Sequence, residues 1–361
     1  MSRFRGLAVV FIVALCIPAG TALGVGSAHA ERFTPGLSLY LADGTTPVGD
    51  TELHPGDQVV VRGSGFDPAA NTSGLPVPVP PGVPHGTFVT FGGFAPTWQP
   101  STGAPASARS EVRGNTKWAL SRSALRKVPG APFDLRRTIR QQWIPLDAHG
   151  RFTARLTLAT PENAPANKRW GVYTYGAANA VNAAQEKYVP INYSTTPGPN
   201  TPKPAEQNLV WGYSSTFADA VAATEGALSG KDGADVNDRG DMTFELADNT
   251  IRNGRGELRY HGTAVVYTRF HLLEIALADP IIRVNGPRAV LSIKTSSTDM
   301  NGDDRLHRID IADLHLSSDQ AERLGKSLDV AGIGTTFRGG ITPTSLAALS
   351  LSRAEPLSIR F

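Results

Sequence analysis

The chain has 361 residues, of which 40% are hydrophobic and 19% charged, and a formal net charge of +3. Setting aside Arg3 and Arg5 in a leader lowers that charge to +1, a balance that excludes recruitment by overall charge and argues against a nucleic-acid partner. The single cysteine, Cys16, lies in the same leader, so the rest of the chain has neither disulfides nor thiolate metal ligands.

Residues 1–30 have the layout of a secretory signal: Arg3 and Arg5, an apolar run from Leu7 to Ile17, then Ala28-His29-Ala30 before Glu31. The run is short for a bilayer span and is broken by Pro18 and Gly20. We therefore expect an exported protein, secreted or held in the cell envelope, that starts near Glu31 and has no integral membrane segment in its mature form.

Residues 31–195 read as an antiparallel β-sandwich. Asp57–Asp67 is a strand closed by a glycine turn, and Thr87–Phe91 is a second strand. Phe152, Ala154, Leu156 and Leu158 alternate with Arg151, Thr153, Arg155 and Thr157, giving one wet and one buried face. Trp170–Tyr175 is a closing strand. Between Gly103 and Gln142 nine Lys or Arg, among them Arg126, Lys127, Arg136, Arg137 and Arg140, face two acids, Glu111 and Asp134. Such an excess suits a solvated insertion that could touch anionic envelope polymers.

Residues 196–207 hold Pro197, Pro199, Pro202 and Pro204 and read as an extended linker. Beyond it, Val210, Tyr213, Phe217 and Val221 have helical spacing, which predicts about three helical turns. Met242, Phe244 and Leu246 alternate with polar neighbours, and Asn285-Gly286 divides two apolar runs as a hairpin turn does. Ser317 and Gln320 have capping-box spacing, which predicts a short helix over 317–327. Asp299–Asp304 offers oxygen donors, but its glycine falls at position four where a calcium loop needs one at position six, so it reads as a polar turn.

The series Leu209–Phe217, Gly256–Thr263 and His271–Pro280 resembles the HtaA domain, a haem-binding module of bacterial surface and secreted haem-uptake proteins. Gly56–Phe66 is similar to the immunoglobulin-like modules that accompany it. The resemblance implies a mainly β protein: an N-terminal immunoglobulin-like β-sandwich over 31–195, a linker over 196–207, and a β-rich HtaA-like domain with one or two short helices over 208–361. It also implies haem as cofactor and haem donor or acceptor proteins as partners.

The family places a haem-contacting tyrosine in the first helix, where this chain has Ala220, and another near the end of the domain, where Ala347–Ser352 has no aromatic residue. The family histidine corresponds best to His271, with Arg269 or Phe270 as the register alternatives. Tyr213, seven residues before Ala220, is a substitute donor in the predicted helix or else part of its buried face. Tyr267 and His261 share one face of the neighbouring strand and complete the candidate cofactor-binding set. Tyrosinate is a hard anionic donor for ferric iron, and a nearby imidazole can tune it. No hydrolase, P-loop or metalloprotease motif occurs, so the expected role is binding and not catalysis. A structural or adhesive envelope protein that kept the scaffold and lost haem is the alternative.

Overall fold

The computed structural model describes residues 33–130, 135–203, 205–268, 273–298 and 305–361. The expected secretory signal, His271 and the Asp299–Asp304 turn lie outside these residues. Among the described residues no helix is long and apolar enough to cross a membrane.

The first half of the chain builds two sheets from β1 (Gly36–Leu41), β2 (Gln58–Ser64), β3 (Thr87–Phe94), β4 (Lys117–Leu120), β5 (Trp143–Pro145), β6 (Phe152–Thr157), β7 (Arg169–Gly176) and β8 (Lys187–Pro190). One sheet has the order β1-β2-β6 and the other β5-β4-β3-β7-β8, with β4 and β5 parallel. The alternation in β6 works as its sequence requires: Phe152, Ala154 and Leu156 are buried against Val59 and Val61 of β2 and against Val89, Phe91 and Val172 of the facing sheet. The basic insertion is folded and not merely solvated. Its helices α1 (Arg122–Lys127) and α2 (Leu135–Arg140) pack Ala124, Leu125 and Ile139 into a small core with Trp118 and Leu120.

The second half contains β9 (Leu209–Trp211), α3 (Phe217–Ala223), β10 (Ala227–Lys231), β11 (Ala234–Val236), β12 (Met242–Asn249), β13 (Arg255–His261), β14 (Thr263–Tyr267), β15 (Glu274–Asn285) and β16 (Arg288–Ser296). It ends with β17 (Leu306–His315), α4 (Ser318–Gly325), β18 (Val330–Phe337), α5 (Thr344–Leu349) and β19 (Leu357–Ile359). The antiparallel pairings β15-β13-β12-β9-β19-β18-β17-β16 run in a ring, because β16 also pairs with β15. The sheet therefore closes on itself and leaves these strands no free edge. β12 and β18 turn the corners. Each pairs with one neighbour along its first part and another along its last, and a register irregularity interrupts the β12–β13 pairing at Leu246/Asp248 and the β18–β19 pairing at Val330/Ile333.

The interior is packed with side chains, including Leu209, Trp211, Phe244, Ile282, Leu291 and Ile311. The β15–β16 hairpin turns at Gly286, whose φ of +64° is the left-handed conformation that Asn-Gly turns supply at low cost. α4 begins with both hydrogen bonds of a capping box between Ser317 and Gln320.

Candidate functional site

The first helix starts later than its apolar spacing predicts. Val210 is in a strand, paired with Thr243 on one side and Ser358 on the other, and α3 begins only at Phe217. Pairing on both sides of Leu209–Trp211 completes the ring's hydrogen bonds, which a helix there would forfeit. Tyr213 then takes a φ of +66°, rare for a residue with a Cβ, and its carbonyl accepts the Glu355 N–H at 2.9 Å. That turn swings the phenol into the core, so a strand, a turn and a helix mimic the periodicity of a single helix.

Tyr213 is fully buried, with ring centroids 4.9 Å from Trp211, 5.1 Å from Phe217 and 5.0 Å from Phe337. Its hydroxyl shares a 2.6 Å hydrogen bond with Ser350 Oγ in which either oxygen can donate, and both hydroxyls face the Leu346 carbonyl, at 3.3 and 2.8 Å. Burial pushes the phenol pKa well up, against the smaller opposing effect of the Ser350 hydrogen bond. Tyr213 is a neutral, engaged core residue here, and tyrosinate ligation would require its hydroxyl to leave α5.

Tyr267 and His261 lie on the opposite side of the sheet. Ala264 and Val266 of β14 are buried, whereas Thr263, Val265 and Tyr267 are half-buried on the outer face. His261 Nε2 is 3.4 Å from Glu245 Oε2, and its ring lies so close over Gly233 that a Cβ there would come within 2.3 Å of it. Six residues of strand separate His261 from Tyr267, roughly 20 Å at the usual rise. Between them Gly262 accepts the Asp279 N–H at 2.9 Å, where a register irregularity kinks β15. The structure therefore divides the expected donor set between the inside and the outside of the barrel, and Tyr213, Tyr267 and His261 do not converge.

The flanks of His271 are described although the residue itself is not. Thr268 N–H donates to the Leu273 carbonyl at 3.1 Å, and Leu273 N–H donates to Thr268 Oγ1 at 3.1 Å, which pinches the β14–β15 hairpin below its tip. The turn leaving α3 meets this hairpin: a Cβ on Gly226 would fall 2.2 Å from the Tyr267 carbonyl oxygen. The turn leaving α3, the helix that holds Ala220, is thus next to the end of β14.

Sequence reasoning missed His307. It pairs with Thr295, which pairs with Leu277, and all three face the interior at the end of the barrel where β14–β15 turns. His307 Nδ1 and Thr295 Oγ1 are both buried without a hydrogen-bond partner among the described residues, whereas His307 Nε2 is 2.9 Å from Thr342 Oγ1. Tyr260 also points inward, its hydroxyl has no hydrogen-bond partner among the described residues, and burial pushes its pKa well up. The alternation of His307, Ile309 and Ile311 is the signal that could have placed the histidine on the buried face. Among the described residues no cluster of three or more His, Cys, Asp or Glu is placed to hold a metal ion. A cofactor that brings its own metal needs only one donor, and an orphaned, buried imidazole nitrogen fits that requirement.

The second half is thus a closed antiparallel barrel with short helices packed onto its core and an inward histidine whose Nδ1 has no hydrogen-bond partner among the described residues. Residues 206–343 match the family model HtaA (Htaa), and the second half of the chain carries an HtaA domain. The chain is similar to the N-terminal domain of HtaA from Corynebacterium glutamicum at 15% identity, covering 42% of this chain and 95% of that one, with a TM-score of 0.33. It is similar to the C-terminal domain of the same protein at 14% identity, over 42% of this chain and 92% of that one, with a TM-score of 0.30. It is also similar to the structure titled "Heme binding protein HtaB" from the same organism at 10% identity, over 42% and 89% of the two chains, with a TM-score of 0.30. No curated protein matches the chain at a significant level.

Proposed function

We propose that this is an exported, non-catalytic haem-binding protein of the cell envelope, in which the domain over 208–361 takes haem at the helix-covered end of the barrel. The match of residues 206–343 to the HtaA family carries the reading. His271, by its correspondence to the family histidine, and His307, inside the barrel end, are the donors we assign in place of the tyrosines missing at Ala220 and in 347–352. When Nε2 of His307 carries the proton and donates to Thr342, Nδ1 holds a free lone pair, so Thr342 would select the ligating tautomer. Haem, when bound, would supply a ferric iron that such a donor can hold. Proteins that donate or accept haem are the partners this reading implies, and we take the domain over 31–195 as an immunoglobulin-like spacer joined through 196–207.

Haemin titration of the mature chain, followed in the Soret region, tests this reading. A saturable shifted band that weakens about tenfold or more in His271→Ala or His307→Ala identifies the donor. Loss in neither variant removes both residues from the site.

One observation favours a second reading, a scaffold that has lost haem: Tyr213 is locked to Ser350 and packed by Phe217 and Phe337. Under that reading the same titration gives no saturable change.

A further inference from the structure

The first half of the chain contains a cleft that the haem reading does not use. It is formed by two neighbouring concavities, about 470 Å³ and about 620 Å³, with Pro145 and Asp147 in the walls of both. Four cationic side chains line it, Arg122 and Lys127 in one lobe and Arg62 and Arg151 in the other, against one carboxylate, Asp147. That carboxylate is already paired with Arg151 at 2.9 Å.

Two of the cations are held in place. The Arg62 guanidinium lies 4.5 Å over the Tyr40 ring and donates to the Gly44 carbonyl at 2.8 Å, which spends one of its five N–H groups. Arg122 lies 5.0 Å over the Trp143 ring. Stacking fixes the guanidinium plane and lowers the entropy lost on binding an anion. Arg122 and Lys127 have neither a carboxylate nor any other hydrogen-bond partner among the described residues, although both come from the basic insertion.

We infer that this cleft binds an acidic polysaccharide bearing carboxylates or phosphodiesters, with Arg122 and Lys127 contacting one charged unit and Arg62 and Arg151 another. Cations in both lobes suit a ligand with repeated charges, and exposed hydroxyls of Ser38, Ser64, Ser123 and Thr153 between them suit sugar hydroxyls. A protein partner would want an apolar anchor pocket, yet the large apolar residues here, Leu146 and Phe152, are only 3% and 4% exposed.

The test is calorimetric titration of the mature chain, at low ionic strength, with a galacturonate oligosaccharide, a glycerol-phosphate oligomer, a neutral galactose oligosaccharide and polyglutamate. Saturable binding of either acidic carbohydrate, with at least about tenfold loss in Arg122→Gln/Lys127→Gln, is expected; which of the two binds identifies carboxylate or phosphate. The substituted side chains are exposed, so the variant's melting temperature should match that of the parent. Arg288→Gln/Lys326→Gln removes the same charge from the other half of the chain and should leave the affinity unchanged. Absence of saturable binding, equal binding of the neutral sugar or of polyglutamate, or equal loss in the control pair would overturn the assignment.

Discussion

Two buried tyrosines in the barrel make opposite predictions because one hydroxyl is satisfied and the other is not. Tyr213 Oη is hydrogen-bonded to Ser350, so Tyr213→Phe should lower the stability of the domain by about 1 kcal/mol while keeping the ring packing. Tyr260 Oη has no partner among the described residues, and Tyr260→Phe should be neutral or raise stability by up to about 1 kcal/mol. Urea unfolding of both variants checks the pair, and a loss at Tyr260 comparable to that at Tyr213 would show that the Tyr260 hydroxyl is satisfied after all. Burial raises both phenol pKa values above their ordinary 10.0, so the folded chain holds protons that the unfolded chain releases. This contribution is complete below about pH 10 and is lost above it, at about 1.4 kcal/mol per pH unit for each phenol. Alkaline unfolding followed by phenolate absorbance should therefore begin above about pH 10, later in the double Phe variant. The sequence marked Tyr213 as either a donor or a core residue. Only the positive φ and the Ser350 contact decide for the core, because neither is encoded in spacing.

The alternating strands were legible from sequence, since period two states which side of a sheet is dry without reference to partners. β6 and the Asn285-Gly286 hairpin follow their patterns, whereas in β12 Thr243 is buried as fully as Met242 and Phe244, because that part of the strand pairs inside the ring. The capping box at Ser317 was legible for the same reason, because its hydrogen bonds are local. Ser317→Ala should cost about 1 kcal/mol, measured by thermal or urea unfolding, because it leaves the Gln320 backbone N–H without its acceptor. The helix expected from Val210 was not legible. Helical spacing at Val210, Tyr213, Phe217 and Val221 arises here from a strand, a turn and a helix in succession, and the competing strand partners, β12 and β19, lie far away in sequence.

At the scale of the molecule, the described residues of the two halves share neither a sheet nor a hydrophobic core. Within the proline-rich stretch Thr201 Oγ1 donates to the Pro55 carbonyl at 2.7 Å and Asn200 Nδ2 donates to Asp57 Oδ1 at 2.8 Å, so these residues are tied to the first half. Among the described residues Gln141 Nε2 lies 3.3 Å from Glu274 Oε1 of the other half, an exposed contact of little weight. Calorimetry of the mature chain should therefore show two transitions, with the second reproduced by residues 205–361 alone. A single transition lost in that fragment would mean that the halves fold as one unit.

The sequence by itself determined that this is a mainly β chain with a proline-rich break and an HtaA-like second half, since composition, alternation and motif order are local properties. It also identified the residues absent from the family pattern, Ala220 and the aromatic-free 347–352. Only the tertiary structure decided that Tyr213 points into the barrel while Tyr267 and His261 point out of it, and that His307 lies inside with an unpaired nitrogen. It also placed Arg122 and Lys127 in one cleft with Arg62 and Arg151. The physical reason is that convergence on a site depends on ring closure and register between strands distant in sequence, and neither leaves a periodic trace in any one segment.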